Sequence, residues 1–291
     1  MSVTALYDVA APAKLNLFLH VIGRRADGYH LLESLFVLID WCDTLHFEPR
    51  GDGALARHDL GPALPVDDLC LRAARLLQRE SGTPLGADIS IDKRVPWGAG
   101  MGGGSSDAAS TLLALNRLWR LDWPRERLLA LGLQLGADVP FFLGGHNAIA
   151  QGIGEHLTPV AVPTQWLAVV KPAASIETRA IFASPLLVRD TEAVILESFA
   201  ANAAHGALQP GFGRNDLQAA AEAECAQVVQ AAAALHQQFG NSRMTGSGSA
   251  VFARAGTGSA PAAAMPALEA GWTGRMCRSL AEHPLAGWAA D

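Results

Sequence analysis

The sequence predicts an α+β fold with two domains that share a cleft. A chain of 291 residues is longer than a typical domain with a single hydrophobic core, which favours two domains. Segments with the alternation of strands and segments with the spacing of helices occur in both halves of the chain. A glycine-rich loop, "VPWGAGMGGGSSDAAS" at residues 95–110, leads from a predicted strand into a predicted helix. That junction is a candidate site for an anionic ligand.

The composition narrows the class of function. Half of the residues are hydrophobic and the formal net charge is −6, which suits a folded protein and disfavours a nucleic-acid partner. The four cysteines are scattered and the histidines do not cluster, so we expect no disulfide framework and no structural metal. No signal peptide and no membrane-spanning apolar run is recognised. We therefore expect a cytoplasmic protein without a membrane partner, and no protein partner is implied.

The first half begins with predicted strands. In "APAKLNLFLHVIG" apolar residues alternate, and Lys14 and Asn16 project from the other face, which predicts a half-buried strand. "GRRADGYH" predicts a loop, and "LLESLFVLID" and "DTLHFEP" predict two further strands. "DLCLRAARLLQRE" then predicts a helix, and "GADISIDKRV" predicts the strand that leads into the glycine loop.

Helices are predicted after the loop. "SSDAASTLLALNRLW" has helical spacing, with Ser105, Ser106 and Asp107 where an N-cap belongs. "RERLLALGLQLG" predicts another helix, and "GADVPFFLGG" places Asp138 two residues before Pro140. "HNAIAQGIGEHLTPV" predicts a hairpin. The end of this hairpin is the predicted boundary between an N-terminal domain, residues 1–160, and a C-terminal domain, residues 161–291.

The C-terminal domain repeats the mixture of strands and helices. "QWLAVVKPA" predicts a strand, and Ala219 to Leu235 predicts one long helix. "RMTGSGSAVFARA" predicts a second glycine-serine loop followed by a strand. "AGTGSAPAAAMPALEAG" is too rich in Ala, Gly and Pro to be assigned.

Three interpretations of the first glycine loop compete. Gly98, Gly100 and Gly103 spell G-x-G-x-x-G, but the acidic residue of a dinucleotide site is missing, since Asp122 lies between two predicted helices. A P-loop requires a lysine after the glycines, and serines stand there. A plain turn would not need so dense a run of glycines. We interpret the loop as a phosphate site whose cation comes from elsewhere in the chain.

Motifs at four places resemble those of the GHMP kinases, named for galactokinase, homoserine kinase, mevalonate kinase and phosphomevalonate kinase. They are "APAKLNLFLHVIGRRADGYHLLESLF", "VPWGAGMGGGSSDAA", "LGADVPFFLGG" and "RMTGSGSAVFA", and the resemblance runs from about Ala11 to Arg254. The opening motif, the extra glycines and "LGADVPFFLGG" together resemble members that act on a cytidine-diphosphate-linked methylerythritol in non-mevalonate isoprenoid synthesis.

The resemblance implies the two-domain GHMP kinase fold, with the active site in the cleft between the domains. It also implies ATP-dependent phosphorylation of the 2-hydroxyl of that small-molecule substrate. The alternative is a GHMP kinase for another small alcohol, homoserine-like or mevalonate-like. A non-catalytic binding protein of this fold and a dehydrogenase are the remaining alternatives.

The resemblance assigns the chemistry to two residues. Residues that match Lys14 and Asp138 flank the hydroxyl that is phosphorylated. Asp138 would orient or deprotonate this hydroxyl, and Lys14 would keep the carboxylate ionised and offset charge on the transferring phosphoryl group. Which of the two takes the proton stays open. Without the resemblance, Lys14 is equally well a solvated strand residue, and Asp138 is equally well a helix cap.

The resemblance also assigns two binding sites. Asn16 would position the substrate, Tyr29 and Phe182 would face the two sides of the nucleobase, His30 would hydrogen-bond its edge, and Thr178 would lie near the diphosphate. The residues expected to bind ATP are Lys93, near the adenine, and the loop residues Pro96, Gly98, Gly100, Gly102, Gly103, Gly104, Ser105 and Ser106.

One position departs from the family pattern. These kinases often have Asp-Asn-Leu before the "RAARLL" helix, with the asparagine near the adenine, but this chain has Asp68 there. An aspartate accepts hydrogen bonds and cannot donate them, which leaves that adenine contact open. Mg²⁺ is expected to enter with the nucleotide, and Ser105 or Ser106 would contact the metal or only the phosphates. We expect no metal site built from protein ligands alone.

Overall fold

The computed structural model describes residues 4–193 and 213–291 as two sheets with helices packed on them, which confirms the α+β class. The strands of the first sheet are β1 (Leu6–Arg24), β2 (His30–Arg50), β3 (Leu55–Asp59), β4 (Gly86–Asp92), β5 (Ala148–Gly152) and β6 (His156–Pro159). Their order is β3-β4-β2-β5-β6, and β1 pairs with β2. All these pairings are antiparallel except that of β3 with β4.

Four helices cover one face of this sheet. They are α1 (Leu69–Ser81), α2 (Gly103–Leu118), α3 (Arg125–Leu135) and α4 (Val139–Gly144). Apolar residues of α2, including Leu112 and Leu115, are fully buried between the sheet and the other helices. Helix α2 therefore lies in the centre of this layer, and its N-terminus is fixed by the hydrophobic core behind it.

The second sheet contains β7 (Trp166–Lys171), β8 (Arg243–Met244), β9 (Val251–Gly256) and β10 (Thr273–Arg278), in the order β10-β7-β9-β8. The helices that the structure describes in this half are α5 (Thr178–Ala183), α6 (Gln218–Glu224) and α7 (Ala226–Phe239). The predicted helix from Ala219 to Leu235 is thus two helices, separated at Cys225, where the backbone is extended. Side-chain spacing did not reveal this break, because the buried positions on both sides keep a helical period.

The prediction of a half-buried first strand was wrong, because β1 is covered on both faces. Phe18 is buried, and so are Lys14 and Asn16. The covering layer comes from the second half of the chain: the backbone N–H of Leu19 donates to the carbonyl of Arg214, at an N–O distance of 2.9 Å. Polar residues on this face therefore lie inside the protein and need partners there.

The two predicted strands after the first loop are one continuous strand, β2. The segment between the two predicted strands contains two aspartates, and both carboxylates have hydrogen-bond partners within the fold. Asp40 accepts a hydrogen bond from the backbone N–H of Arg278 at 2.9 Å, and Asp43 accepts from the N–H groups of Arg94 and Val95. Strands β3 and β10 were not predicted from the sequence. Each is short: β3 pairs with β4, and β10 pairs with β7.

The hydrophobic core has three parts. One lies between the first sheet and α1 to α4, and another between the second sheet and α6 and α7. The third joins the two halves: Leu15 and Val37 of the first sheet pack in one cluster with Leu167 and Phe252 of the second. A cleft at the edge of this third cluster is therefore bounded by both halves of the chain.

The last residues of the chain return to the first core. Leu285 and Ala289 are buried in the same cluster as α1 to α4. The guanidinium of Arg125 donates to the carbonyls of Leu143, at 2.6 Å, and Ala289, at 3.0 Å. The division at residue 160 stays a prediction, with the qualification that residues 280–291 pack against the N-terminal half. Within the described ranges, no helix is long and apolar enough to cross a membrane.

Candidate active site

The glycine loop at residues 95–104 separates two cavities. One, of about 360 Å³, lies against the start of α1 and is lined by Lys93, Pro96 and Asp68, among others. The other, of about 350 Å³, is lined by Lys14 and Asp138. Gly98, Gly100 and Gly102 line both cavities, and Gly103 and Gly104 line the first. We call the first the nucleotide cavity and the second the reaction cavity.

The two glycine loops of the chain are in direct backbone contact. Gly100 has φ +71°, and a Cβ atom there would overlap the carbonyl oxygen of Thr245. Gly246, in the second loop, has φ +55°, and its Cβ would lie 2.8 Å from the carbonyl oxygen of Gly100. The backbone N–H of Lys14 donates to the carbonyl of Met101 at 3.0 Å, which ties the first loop to β1. This approach requires glycine at both contacting positions.

The predicted N-cap of α2 was wrong. The helix begins at Gly103, and its N-cap is Gly102, with φ +69° and no capping side-chain hydrogen bond. Ser105 and Ser106 therefore lie within the first turn, and neither lines the two cavities described above. The hydroxyl of Ser106 is buried without a hydrogen-bond partner among the described residues. With no side-chain cap, the N–H groups of the first turn are available to an anion beside the loop.

Lys93 forms a buried cluster with two carboxylates. Its ammonium pairs with Asp43 and, at 2.5 Å, with Asp107 in the first turn of α2. Burial by itself lowers the pKa of Lys93. The carboxylates of Asp107 and Asp43 together have the larger effect in the opposite direction, so the pKa of this lysine is raised. Burial raises the pKa of the Asp107 carboxyl, and Asp43 raises it further, against the opposite effect of Lys93. The cluster joins β2, the end of β4 and α2, and so holds both ends of the glycine loop.

Replacing Lys93 with Met is expected to destabilise the protein by about 3–5 kcal/mol, because two buried carboxylates would lose the ammonium that pairs with both of them. Lys171→Met is the matched control. Lys171 is also buried, but its ammonium donates to backbone carbonyls, of Pro172 at 2.7 Å and Ala174 at 2.8 Å. Urea unfolding of both variants measures the difference. An equal loss in both would contradict the role of the cluster, and a Lys93→Met variant of normal stability but weak ATP binding would make Lys93 a nucleotide contact instead.

Asp68, where the family often has asparagine, is occupied by structural contacts. Its carboxylate accepts a hydrogen bond from the N–H of Leu71 at 3.0 Å, as the N-cap of α1. It also pairs with the guanidinium of Arg57 at 2.8 Å. Asp68 therefore contributes to the wall of the nucleotide cavity mainly by fixing the start of α1.

Lys14 and Asp138 face each other in the reaction cavity. The Lys14 Nζ lies 3.8 Å from Asp138 Oδ2 and donates to Asn16 Oδ1 at 2.7 Å. It also lies 4.6 Å from the centre of the Phe36 ring. Burial lowers the pKa of Lys14, and Asp138 opposes this shift. The structure thus keeps one buried cation beside one carboxylate, in a cavity open to a ligand.

The carboxylate of Asp138 is left free of hydrogen bonds. Asp138 precedes α4 with helical backbone angles, and its side chain does not cap the helix. Among the described residues no group donates a hydrogen bond to this carboxylate, and 35% of the side chain is exposed. Asp138 thus occupies the N-cap position of α4, but a capping hydrogen bond does not account for its carboxylate. Its oxygen atoms are available to a hydroxyl group that enters the cavity.

Asn16 connects Lys14 to both halves of the chain. Its amide nitrogen donates to the Ser34 hydroxyl at 2.8 Å, and that hydroxyl donates to the carbonyl of Phe18. Its backbone N–H donates to the Thr245 hydroxyl at 2.9 Å. Ser34 and Thr245 were missed by sequence reasoning, since a single serine or threonine in a strand or loop carries no signal of its own. Through them Asn16 fixes the position of the Lys14 ammonium.

The remaining predicted residues lie at the outer end of the cleft. Tyr29, His30 and Phe182 line a third cavity of about 820 Å³, which we call the outer cavity. Phe182 also lines the reaction cavity, so the two adjoin. The rings of His30 and Phe182 stack at 5.0 Å and 28°, whereas Tyr29 is 62% exposed. Thr178, in the reaction cavity, shares a hydrogen bond of 2.7 Å with the Ser247 hydroxyl.

The geometry therefore places the predicted substrate residues on one side of the glycine loop and Lys93 and Pro96 on the other, while Gly98, Gly100 and Gly102 line both cavities and Ser105 and Ser106 line neither. Within residues 4–193 and 213–291, no three His, Cys, Asp or Glu side chains cluster in a way suited to a metal ion.

This chain is similar in sequence to known proteins. The family description "GHMP kinases N terminal domain" matches residues 68–146. The 4-diphosphocytidyl-2-C-methyl-D-erythritol kinase of Methylibium petroleiphilum is 68% identical to this chain over 292 residues, covering 99% of the chain and 100% of that relative.

Solved structures show the same relationship. A crystal structure of a 4-(cytidine 5'-diphospho)-2C-methyl-D-erythritol kinase superposes with a TM-score of 0.73 at 38% identity, covering 84% of this chain and 89% of the other. The homoserine kinase of Cytophaga hutchinsonii superposes with a TM-score of 0.69 at 13% identity, over 97% of each chain. At that identity the second likeness shows a shared fold alone.

Proposed function

The chain belongs to the 4-diphosphocytidyl-2-C-methyl-D-erythritol kinases of the GHMP kinase family, and from this premise we propose the reaction, its ligands and the residues that act on them. The protein is a small-molecule kinase. In the proposed reaction, the γ-phosphoryl group of ATP is transferred to the 2-hydroxyl of 4-diphosphocytidyl-2-C-methyl-D-erythritol. We place this step in the cytoplasm, in non-mevalonate isoprenoid synthesis.

The observation that carries this proposal is the position of the Lys14–Asp138 pair. The pair lies 3.8 Å apart in a cavity separated from the nucleotide cavity only by a glycine loop. A phosphoryl group held by the loop would therefore lie between the nucleotide and a hydroxyl beside Asp138. In-line phosphoryl transfer requires such an arrangement of donor, phosphoryl group and acceptor.

The two residues have complementary roles in the proposed reaction. The Asp138 carboxylate, with no competing hydrogen bond from the described residues, accepts the hydrogen bond of the attacking hydroxyl and takes its proton as the new P–O bond forms. The buried Lys14 ammonium, fixed by Asn16, keeps the carboxylate ionised and offsets negative charge on the transferring group. The proposal thus assigns the proton of the hydroxyl to Asp138 and not to Lys14.

The nucleotide would occupy the cavity between the glycine loop and α1. Pro96 and the glycines at 98, 100, 102, 103 and 104 line this cavity, and the uncapped first turn of α2 faces the loop. Ser105 and Ser106 would act through the backbone of this turn. Lys93 would act mainly through its cluster with Asp43 and Asp107, which positions the loop.

Mg²⁺ is proposed to enter bound to the ATP phosphates, whose charge it would neutralise. This ion keeps several waters and needs few protein ligands, so the lack of an acidic cluster among the described residues is compatible with it. Asp138 is kept in this proposal as the partner of the attacking hydroxyl, and the ligands of the ion would come mainly from the phosphates and water.

The methylerythritol and cytidine parts of the substrate would extend from the reaction cavity to the outer cavity. Asn16 and Thr178 would position the part next to Asp138. Tyr29, His30 and Phe182 provide aromatic surface and a hydrogen-bonding imidazole for a nucleobase, which homoserine and mevalonate lack.

Activity of the purified protein with ATP and Mg²⁺ tests the proposal. ADP release is expected with 4-diphosphocytidyl-2-C-methyl-D-erythritol and not with homoserine or mevalonate, and phosphorus NMR should show a new phosphomonoester on the methylerythritol. CDP should inhibit in competition with this substrate. Turnover of homoserine or mevalonate without inhibition by CDP would favour the alternative alcohol kinase, and turnover of none of the three would overturn the proposal.

A further inference from the structure

Arg189 contacts the imidazole of His30 in an unusual way. It follows α5 in the chain. Its Nε donates to His30 Nε2 at 3.1 Å. Its other nitrogens donate to backbone carbonyls: of Leu187 at 2.9 Å, Phe182 at 3.1 Å and Ser184 at 3.0 Å. Among the described residues, no carboxylate lies within ion-pair distance of Arg189.

A hydrogen bond from arginine fixes the protonation of the histidine that accepts it. Arginine has no acceptor and keeps its charge at every accessible pH, so His30 Nε2 must offer a lone pair. A neutral imidazole carries one proton, which must then be on Nδ1. Among residues 4–193 and 213–291, none occupies His30 Nδ1 with a hydrogen bond, and His30 lines the outer cavity. The imidazole therefore presents one hydrogen-bond donor to a ligand there.

The electrostatic surroundings favour the same neutral form. Burial lowers the pKa of His30, and Arg189 and Arg24 lower it further. Arg24 belongs to β1 and Arg189 to the segment after α5. The other charged groups around this cavity are Asp27, in the loop before β2, and Arg179, on α5. Arginines thus outnumber carboxylates around the ring, and a second proton on His30 is disfavoured.

The segment that carries Arg189 is fixed to the body of the protein. The Thr191 hydroxyl donates to Asp216 Oδ2 at 2.6 Å, and the N–H of Thr191 donates to the carbonyl of Val21 on β1 at 3.1 Å. Asp216 also accepts from the N–H of Val21 at 2.8 Å. Arg189 therefore holds the His30 ring from a rigid position, with the ring stacked on Phe182.

We infer that Arg189 is a positioning residue that sets base specificity: it holds His30 as the neutral tautomer with its proton on Nδ1, which donates to the ring acceptor N3 of cytosine. Uracil carries N–H at this position, so two donors would meet and the base would be rejected. The inference rests on the proposed function for the identity of the base, but the tautomer follows from this chain alone.

The tautomer is tested first in the unliganded wild-type protein. Long-range proton–nitrogen NMR of histidine-labelled protein, with the His30 signals assigned by their loss in His30→Gln, reports which ring nitrogen carries the proton. We expect the proton on Nδ1 at pH 7.5 and a His30 pKa below the ordinary 6.5. In Arg189→Met the Nε2–H tautomer should appear and the pKa should rise. A proton on Nε2 in the wild type would overturn the inference.

Specificity is tested by inhibition with CDP and UDP. The wild type should prefer CDP, and in Arg189→Met this preference should fall about tenfold, the effect of one unsatisfied buried hydrogen bond. The KM for the cytidylyl substrate should rise by a similar factor, with kcat and the KM for ATP nearly unchanged. Arg189→Lys, which keeps the cation and one donor, should restore part of the preference.

The control is Arg79→Met, on the exposed side of α1, which should change none of these quantities. An unchanged CDP preference in Arg189→Met, or an equal loss of kcat and ATP binding, would overturn the assigned role. Failure of CDP to bind the wild type would count against the proposed function, while a wrong tautomer would count against this inference alone.

Discussion

Replacing Asp138 with Asn is expected to lower kcat by about 10²- to 10⁴-fold, the range typical of a lost general base. The amide keeps the size and shape of the carboxylate but cannot accept the proton of the attacking hydroxyl. It also removes the negative charge that lies 3.8 Å from the Lys14 ammonium. Because Asp138 lines the reaction cavity and not the nucleotide cavity, the affinity for ATP should stay within a few-fold of the wild type.

Steady-state kinetics and calorimetric titration with a non-hydrolysable ATP analogue measure these two quantities. Asp52→Asn is the matched control, because Asp52 is an exposed carboxylate paired with Arg50 in the turn after β2. It should leave kcat unchanged. If Asp138→Asn retained most of the activity, Asp138 would have only an orienting role or none, and Lys14 would become the remaining candidate for proton transfer. If ATP affinity fell as far as kcat, Asp138 would act on the nucleotide instead.

The catalytic pair was predictable because each member lies in a sequence motif. Lys14 lies in an alternating strand and Asp138 in a short motif before a helix, and both match family patterns at ordered positions. The glycine loop was predictable for the same reason, since its glycines are needed by the backbone itself. Their assigned roles stay predictions until the variants are measured.

The supporting residues were not predictable, because they act through contacts between distant parts of the chain. Asn16 and Thr245 are 229 positions apart, and Lys93 and Asp43 are 50 apart. Nothing in the local sequence of Thr245 or Asp43 indicates the partner that tertiary packing supplies. The same holds for Arg189, because its role depends on its contact with His30, which lies 159 positions earlier in the chain.

Burial of β1 explains why these contacts matter. The alternation of the strand correctly identified the face that carries Lys14 and Asn16, but it could not show that a second layer covers this face. Once covered, an ammonium and an amide need partners, and the partners come from both halves of the chain. The charge balance of the reaction cavity therefore depends on the contact between the two halves as much as on the catalytic pair.

The two halves of the chain approach each other closely where the two glycine loops meet. The variant Gly100→Ala tests whether this close approach is needed for activity. A Cβ atom at Gly100 would overlap the carbonyl oxygen of Thr245 and lie 3.2 Å from the backbone nitrogen of Gly248. These are backbone atoms and cannot move aside as a side chain can, so the loops must separate. Thr245 also holds Asn16, so the shift should reach the Lys14 ammonium. We expect kcat/KM to fall by about 10²-fold, as for a displacement of about 1 Å at a reacting centre.

Gly82→Ala provides the matched control for the backbone cost. Gly82 ends α1 with φ +66°, close to the +71° of Gly100, but a Cβ there meets no atom within 4 Å. In both variants alanine must adopt a left-handed conformation, which lowers the free energy of unfolding by about 1 kcal/mol. Urea unfolding measures this loss. Only Gly100→Ala should lose activity, so the difference in kcat/KM between the variants isolates the approach of the loops. Equal activities would mean that the distance between the loops has no influence on phosphoryl transfer, and the cleft would then have to position ATP through the first loop alone.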